Sequence, residues 1–188
     1  MARGDTRGQL LDAAGALVQT RGYNAFSFKD LAALVGIRTA SIHYHFRTKA
    51  DLGVALMQRY TAELEAELGE IEATHASALA RLEAFIALYR KTEARGAICL
   101  CGSLSSDRET LPGPLQAELG RYLERSEGWV SKTLALGVER EEFELARPDA
   151  GAALLLSSLQ GGLIVSRGLA DPRLDTIRDQ FLSMLGAA

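Results

Sequence analysis

The stretch "VGIRTASIHYHF", Val35 to Phe46, sets two histidines and a tyrosine side by side just past a glycine. Those residue types suit a metal-ligand pair, a catalytic base with its partner, or a polar surface that reads another molecule. Helical geometry separates the three. Residues i and i+2 of a helix point about 200° apart, so His43 and His45 cannot close on one ion, for which helices use i and i+4. Ile42 and Phe46 are apolar and four apart, which pins one side of a short helix to a core. Thr39, Ala40, Ser41, His43, Tyr44 and His45 are left facing outward or sideways. Short and planar polar groups of this kind suit base edges, phosphates and the thymine methyl.

Ser27 opens the preceding helix. Its hydroxyl can cap, and Asp30 sits in the first turn at the positive end of the dipole. Leu31, Ala32 and Val35 form the inner face, and Gly36 ends the helix. Before it, a helix from about Thr6 to Thr20 carries the stripe Leu10, Leu11, Ala14, Leu17 and Val18 and stops at Gly22. Two short helices joined at a tight glycine turn and backed by a third fit a helix-turn-helix, whose second helix enters the major groove. Lys49, just beyond, can meet a backbone phosphate as a point charge.

Charge supports a nucleic-acid partner. The 188-residue chain carries a net −3, but residues 1 to 52 hold seven Lys/Arg against four Asp, a local +3 that leaves −6 for the rest. A basic head on an acidic body results. With 47% hydrophobic and 24% charged residues the composition is that of a folded globular protein. The N-terminus has scattered charges and no apolar core of a signal peptide, so a cytoplasmic location is expected.

Helical periodicity continues to the C-terminus, which predicts an all-α protein of about nine helices. Leu52, Leu56, Tyr60, Leu64, Leu68 and Ile71 keep i, i+4 spacing in one long helix from about Lys49. Further helices are expected over about 76–94, in a short sixth segment, over about 114–138, and after Pro148 and Pro172. The expected organisation is a helix-turn-helix domain, residues 1–50, continuous through the long helix with an effector-binding and dimerisation domain, residues 51–188. The charge-free run Ala150 to Ser166 is shorter than a membrane span of about 20 residues and is read as buried in protein. Being apolar nearly all round, it needs neighbours on more than one side.

With Leu174, Ile177, Phe181, Met184 and Leu185 of the last helix, that run can form an isologous four-helix interface with a second copy. Leu154, Ser158, Gly161, Gly162, Val165, Ile177 and Phe181 are the candidate contacts, and the small residues, Ser157 included, allow close backbone approach. Packing within one subunit is the alternative use. Tyr60, Phe85, Tyr89, Tyr122 and Trp129 lie on inward faces, where aromatics form plain core or line a ligand cavity. Cys99 joins them as a candidate. Cys99 and Cys101 diverge on a helix, so a disulfide between them is not expected. A thiolate near a helix start and close to Arg95 could react.

Thr6 to Leu52, "TRGQLLDAAGALVQTRGYNAFSFKDLAALVGIRTASIHYHFRTKADL", resembles the N-terminal module of TetR/AcrR-family transcriptional regulators. Gly22-Tyr23, Ser27, Gly36, Tyr44-His45-Phe46 and Lys49 carry the likeness. The resemblance implies a homodimeric all-α repressor of double-stranded operator DNA, released by a small molecule bound in a divergent C-terminal domain. It also implies DNA contacts at Ser27, Thr39, Ala40, Ser41, His43, Tyr44 and Lys49. Two positions depart from the pattern. Arg38 replaces a small capping serine, leaving Thr39 as substitute cap and adding a guanidinium for phosphate or guanine; His43 stands where tyrosine is usual. The Cys99-Leu100-Cys101 segment is similar to a branch with a cysteine at the start of helix six, which makes an electrophile- or oxidant-sensing repressor the alternative. No metal site, phosphate loop or nucleophile elbow is present in the sequence, so no cofactor, membrane role or enzymatic activity is expected. A helical interaction protein would leave the basic head unexplained.

Overall fold

The computed structural model describes residues 5–186. Among these there are nine α-helices and no strand: α1 Thr6–Arg21, α2 Phe28–Val35, α3 Thr39–His45, α4 Lys49–Thr74, α5 Ala78–Glu93, α6 Leu100–Ser106, α7 Gly113–Glu139, α8 Pro148–Leu169 and α9 Leu174–Met184. The all-α expectation holds: α1 stops at Gly22, α2 lies between Ser27 and Gly36, and α8 begins on Pro148, whereas α9 begins at Leu174, two residues past Pro172.

The helices gather into two compact units. One takes the chain up to Ala62 together with Leu100–Tyr122; the other takes Glu63–Cys99 and the chain from Leu123 onward. Packing therefore groups α6 and the first part of α7 with the helix-turn-helix segment, a grouping that sequence order does not suggest.

In the first unit, Leu10, Leu11, Ala14, Leu17 and Val18 of α1 are all buried, as are Leu31 and Ala32 of α2 and Ile42 of α3. Removing such side chains from water is the main stabilising term of a small domain. Gly53 on α4 permits a close approach: a Cβ there would lie 2.8 Å from Leu115 Cδ2. Ser103 of α6 donates its hydroxyl proton to the Val18 carbonyl at 2.7 Å, fastening α6 to α1.

In the second unit, α5, α8 and α9 pack on one another. Carboxylates supply caps from a distance. Glu142 accepts the backbone N–H groups of Ala78 and Leu79 at 3.0 Å each, where α5 begins. Glu93 accepts from the N–H of Arg173 at 2.8 Å and of Leu174 at 3.3 Å, where α9 begins, and from the Ser166 hydroxyl at 2.6 Å. First-turn N–H groups have no partner inside their own helix, so an acceptor there offsets the cost of leaving them bare.

α8 is longer than its uncharged run, 22 residues, and by length and composition alone could cross a membrane. One face of it, including Leu155, Leu159, Gly162 and Leu163, is buried against the rest of the unit. The other face carries Leu154, Ile164, Val165 and Leu169, all exposed.

Candidate nucleic-acid interface

α2 starts on a complete capping box. The Ser27 hydroxyl accepts from Asp30 N–H at 3.3 Å, and Ser27 N–H donates to the Asp30 carboxylate at 2.7 Å. The Ser27 hydroxyl proton also goes to that carboxylate, at 2.6 Å. These bonds to Ser27 hold the Asp30 carboxyl below the usual aspartate range. α2 ends on Gly36, which adopts φ 73°, ψ 32°, a left-handed conformation that costs glycine little. Ile37 N–H then reaches back to the Ala32 carbonyl at 3.0 Å, closing a Schellman turn.

α3 follows with Arg38 at its N-cap and no side-chain capping bond. Thr39 is the first residue inside the helix, so the substitute cap expected of it is not made. Packing holds α3 instead: Ile42 is 0% exposed and Phe46 3%, and the Arg7 guanidinium lies over the Phe46 ring, 5.4 Å from its centroid. The opposite face is open. Tyr44 is 86% exposed, its ring edge-on to His45 at 5.0 Å, and Arg38, Ala40, Ser41 and His43 are exposed as well. Thr39 is half-buried. An open groove of about 570 Å³ runs beside the helix, lined by Thr6, Ile37, Arg38, Ala40, Ser41, Tyr44 and His45. His43 turns elsewhere, toward Phe28 and the Arg47 carbonyl, so the two histidines diverge as their spacing requires.

Lys49 is placed differently from a free phosphate contact. Its ammonium donates to the carbonyls of Tyr23 and Phe26 and sits 4.6 Å and 4.2 Å from their ring centroids. Burial pushes this ammonium below the usual lysine range, while the carboxylates of Asp107 and Asp30 oppose the change. The Tyr23 hydroxyl donates to the Lys49 carbonyl at 3.0 Å, and burial pushes its phenol up. Lys49 thus fastens the turn after α1 to the start of α4.

Three supports escaped sequence reading. Thr48 and Asp51 form a second reciprocal cap at the start of α4, at 3.0 Å and 3.1 Å; its signal, Thr-x-x-Asp, was visible in the sequence. Asp107 accepts the Tyr23 N–H, and Ser103 holds Val18. Neither of these long-range bonds has a local sequence signal.

The candidate effector residues fall into separate groups. Tyr60 stacks on Tyr122 in the first unit, centroids 5.0 Å apart. Phe85 stacks on Trp129 at 5.5 Å and meets Tyr89 at 5.5 Å in the second. Trp129 donates its indole N–H to Glu72 at 2.8 Å. Cys99 and Cys101 are both buried. No group of three or more His, Cys, Asp and Glu among the described residues could hold a metal ion. Of the candidate dimer residues, Leu154 and Val165 are exposed, Ser158, Gly161 and Ile177 are half-buried, and Gly162 and Phe181 are buried within the chain. A Cβ on Gly162 would lie 2.5 Å from Ile177, whereas one on Gly161 would meet nothing within 4 Å.

Residues 10–56, spanning most of α1 through the start of α4, match the family model described as bacterial regulatory proteins, tetR family. A TetR transcriptional regulator from Legionella pneumophila is 32% identical, aligns over 98% of this chain and 100% of its own, and superposes with a TM-score of 0.88. A TetR-family regulator from Agrobacterium tumefaciens is 28% identical over 95% of this chain and 96% of its own, with a TM-score of 0.91. The HTH-type transcriptional repressor DhaR of Mycobacterium sp. (strain GP1) is 26% identical over 169 residues, 87% of this chain and 83% of that one. The chain belongs to the TetR family. It is a DNA-binding transcriptional regulator and not an enzyme.

Proposed function

We propose that the protein is a homodimeric repressor that binds a pseudo-palindromic operator through α3 and is released by a small molecule held in residues 51–188. The observation that carries the reading is α3 itself, anchored by Ile42 and Phe46 while Arg38, Ala40, Ser41, His43 and Tyr44 stand open. Rigid anchoring with a free polar face is what base readout requires. Ser27 and Lys49 support that face by fixing the helices beside it. Such a protein works in the cytoplasm, where the DNA is.

The open face of α8 supports the dimer. Leu154, Ile164 and Val165 are 45%, 49% and 49% exposed and share their face with the unobstructed Gly161. A two-fold pairing there buries the apolar stripe and brings two copies of α3 to one operator, whose half-sites lie about 34 Å, one turn of DNA, apart. Gly162 and Phe181 serve α8–α9 packing within each copy.

Effector binding shifts a population between dimer geometries that fit or miss the operator. Electrophile sensing by Cys99 and Cys101 is disfavoured by their exposure of 4% and 0%, since reactive thiols sit in partly exposed surroundings.

Mobility shift on the intergenic DNA beside its own gene, across a salt series and a panel of small molecules, tests this. Tight binding of two chains per site that weakens steeply with salt, and release by a member of the panel, is expected. Equal, weak binding to every fragment contradicts it.

A further inference from the structure

The ring of His43 is held from two sides. Its Nδ1 lies 3.2 Å from the backbone carbonyl oxygen of Arg47, just past the end of α3. The Phe28 ring meets it near edge-on, with centroids 5.1 Å apart and planes at 67°. A carbonyl oxygen can only accept, so Nδ1 carries the proton and donates. In the neutral ring Nε2 is then a bare lone pair, on the edge turned away from Arg47. His43 is exposed, so a partner can reach its side chain.

A fixed acceptor has a narrow choice on DNA. The donors in the major groove are the exocyclic amino groups, N6 of adenine and N4 of cytosine. Guanine O6 and N7, thymine O4 and the phosphate oxygens are acceptors and would oppose lone pair to lone pair. A tyrosine hydroxyl at the same place could donate or accept by rotating, whereas an imidazole that donates through Nδ1 to the Arg47 carbonyl presents Nε2 as an acceptor.

We propose that His43 is a specificity-determining residue: its Nε2 accepts a hydrogen bond from the exocyclic amino group of one adenine or cytosine in each half-site, and it does not serve as a phosphate contact. The inference rests on reading α3 as the recognition helix. It adds which base chemistry this side chain selects.

The test selects binding sites from a pool of random duplexes with the wild-type protein, with His43→Phe and with His43→Arg. Wild type should enrich adenine or cytosine at one position per half-site. His43→Phe should keep the rest of the site and lose preference at that position, and His43→Arg should move it to guanine. In the selected duplex that base is then replaced by an analogue without the major-groove amino group, 2-aminopurine for adenine or 2-pyrimidinone for cytosine. Wild type should lose about tenfold in affinity and His43→Phe almost nothing. If His43→Phe fails to fold, His43→Leu takes its place in this comparison. Uniform weakening of His43→Phe on all sequences, or an unchanged preference, overturns the proposal in favour of a phosphate contact or a bystander. Failure of wild type to enrich any sequence removes the recognition-helix reading itself, and the proposal with it.

Discussion

The carboxylate of Asp107 accepts the backbone N–H of Tyr23 at 2.9 Å, joining residues 84 positions apart. Asn24 adds a bond from its amide to the Thr110 hydroxyl at 2.7 Å, and Ser103 holds the Val18 carbonyl. The segment from α6 to the start of α7 therefore braces the turn that follows α1. Asp107→Ala leaves a part-buried N–H without its acceptor, a loss of about 1–3 kcal/mol. The midpoint of urea unfolding should fall accordingly, and an unchanged midpoint would show that water replaces the carboxylate.

Lys49 distinguishes a brace from a phosphate contact. Lys49→Met keeps much of the apolar stem and removes both carbonyl bonds and the ring contacts of the ammonium. Stability should drop by roughly 2 kcal/mol, while the slope of log affinity against log salt should stay as in wild type. A slope smaller by about one would mean that the ammonium leaves its cage to meet DNA.

The capping box of α2 has a pH signature. Bonds from Ser27 depress the folded-state pKa of Asp30, so its stabilising effect is present above the ordinary aspartate pKa of about 3.9 and is lost as pH falls through the folded-state value. Ser27→Ala should lower the melting temperature by a few degrees at neutral pH. The gap from wild type should narrow in acid. A gap constant from pH 7 to pH 3 would mean that the carboxylate takes no part.

Val165→Glu places a charge in the middle of the proposed dimer face, at a residue exposed in the single chain. Sedimentation should then report monomers of unchanged helicity, and operator affinity should fall by two orders of magnitude or more as the paired half-sites are lost. Persistence of the dimer would move the interface elsewhere.

Much of this organisation was legible where its causes are local. Ser27, Asp30 and Gly36 locate α2 and the turn before α3 within ten residues of one another, and the observed helix lies between them. Ile42 and Phe46 likewise told which side of α3 faces inward. Causes spread through the fold were not legible. The destination of the Lys49 ammonium depends on carbonyls 26 and 23 residues upstream. Asp107 acts across 84 residues. Gly161 and Gly162 are neighbours of the same type, yet only Gly162 lies under α9, a difference set by the rotation of α8. Composition alone could not distinguish them.

Reading of a two-fold operator by α3 leaves a direct mark on DNA. Hydroxyl-radical footprinting of the protein on the DNA beside its gene, with wild type and Tyr44→Ala, tests it most directly, because Tyr44, 86% exposed, is the large hydrophobic side chain that helix presents to solvent. Two protected half-sites about one helical turn apart on one face of the duplex are predicted, fading in the variant at equal concentration. Protection that lacks two-fold spacing, or that survives unchanged when Tyr44 and Ser41 are both replaced by alanine, would contradict the account.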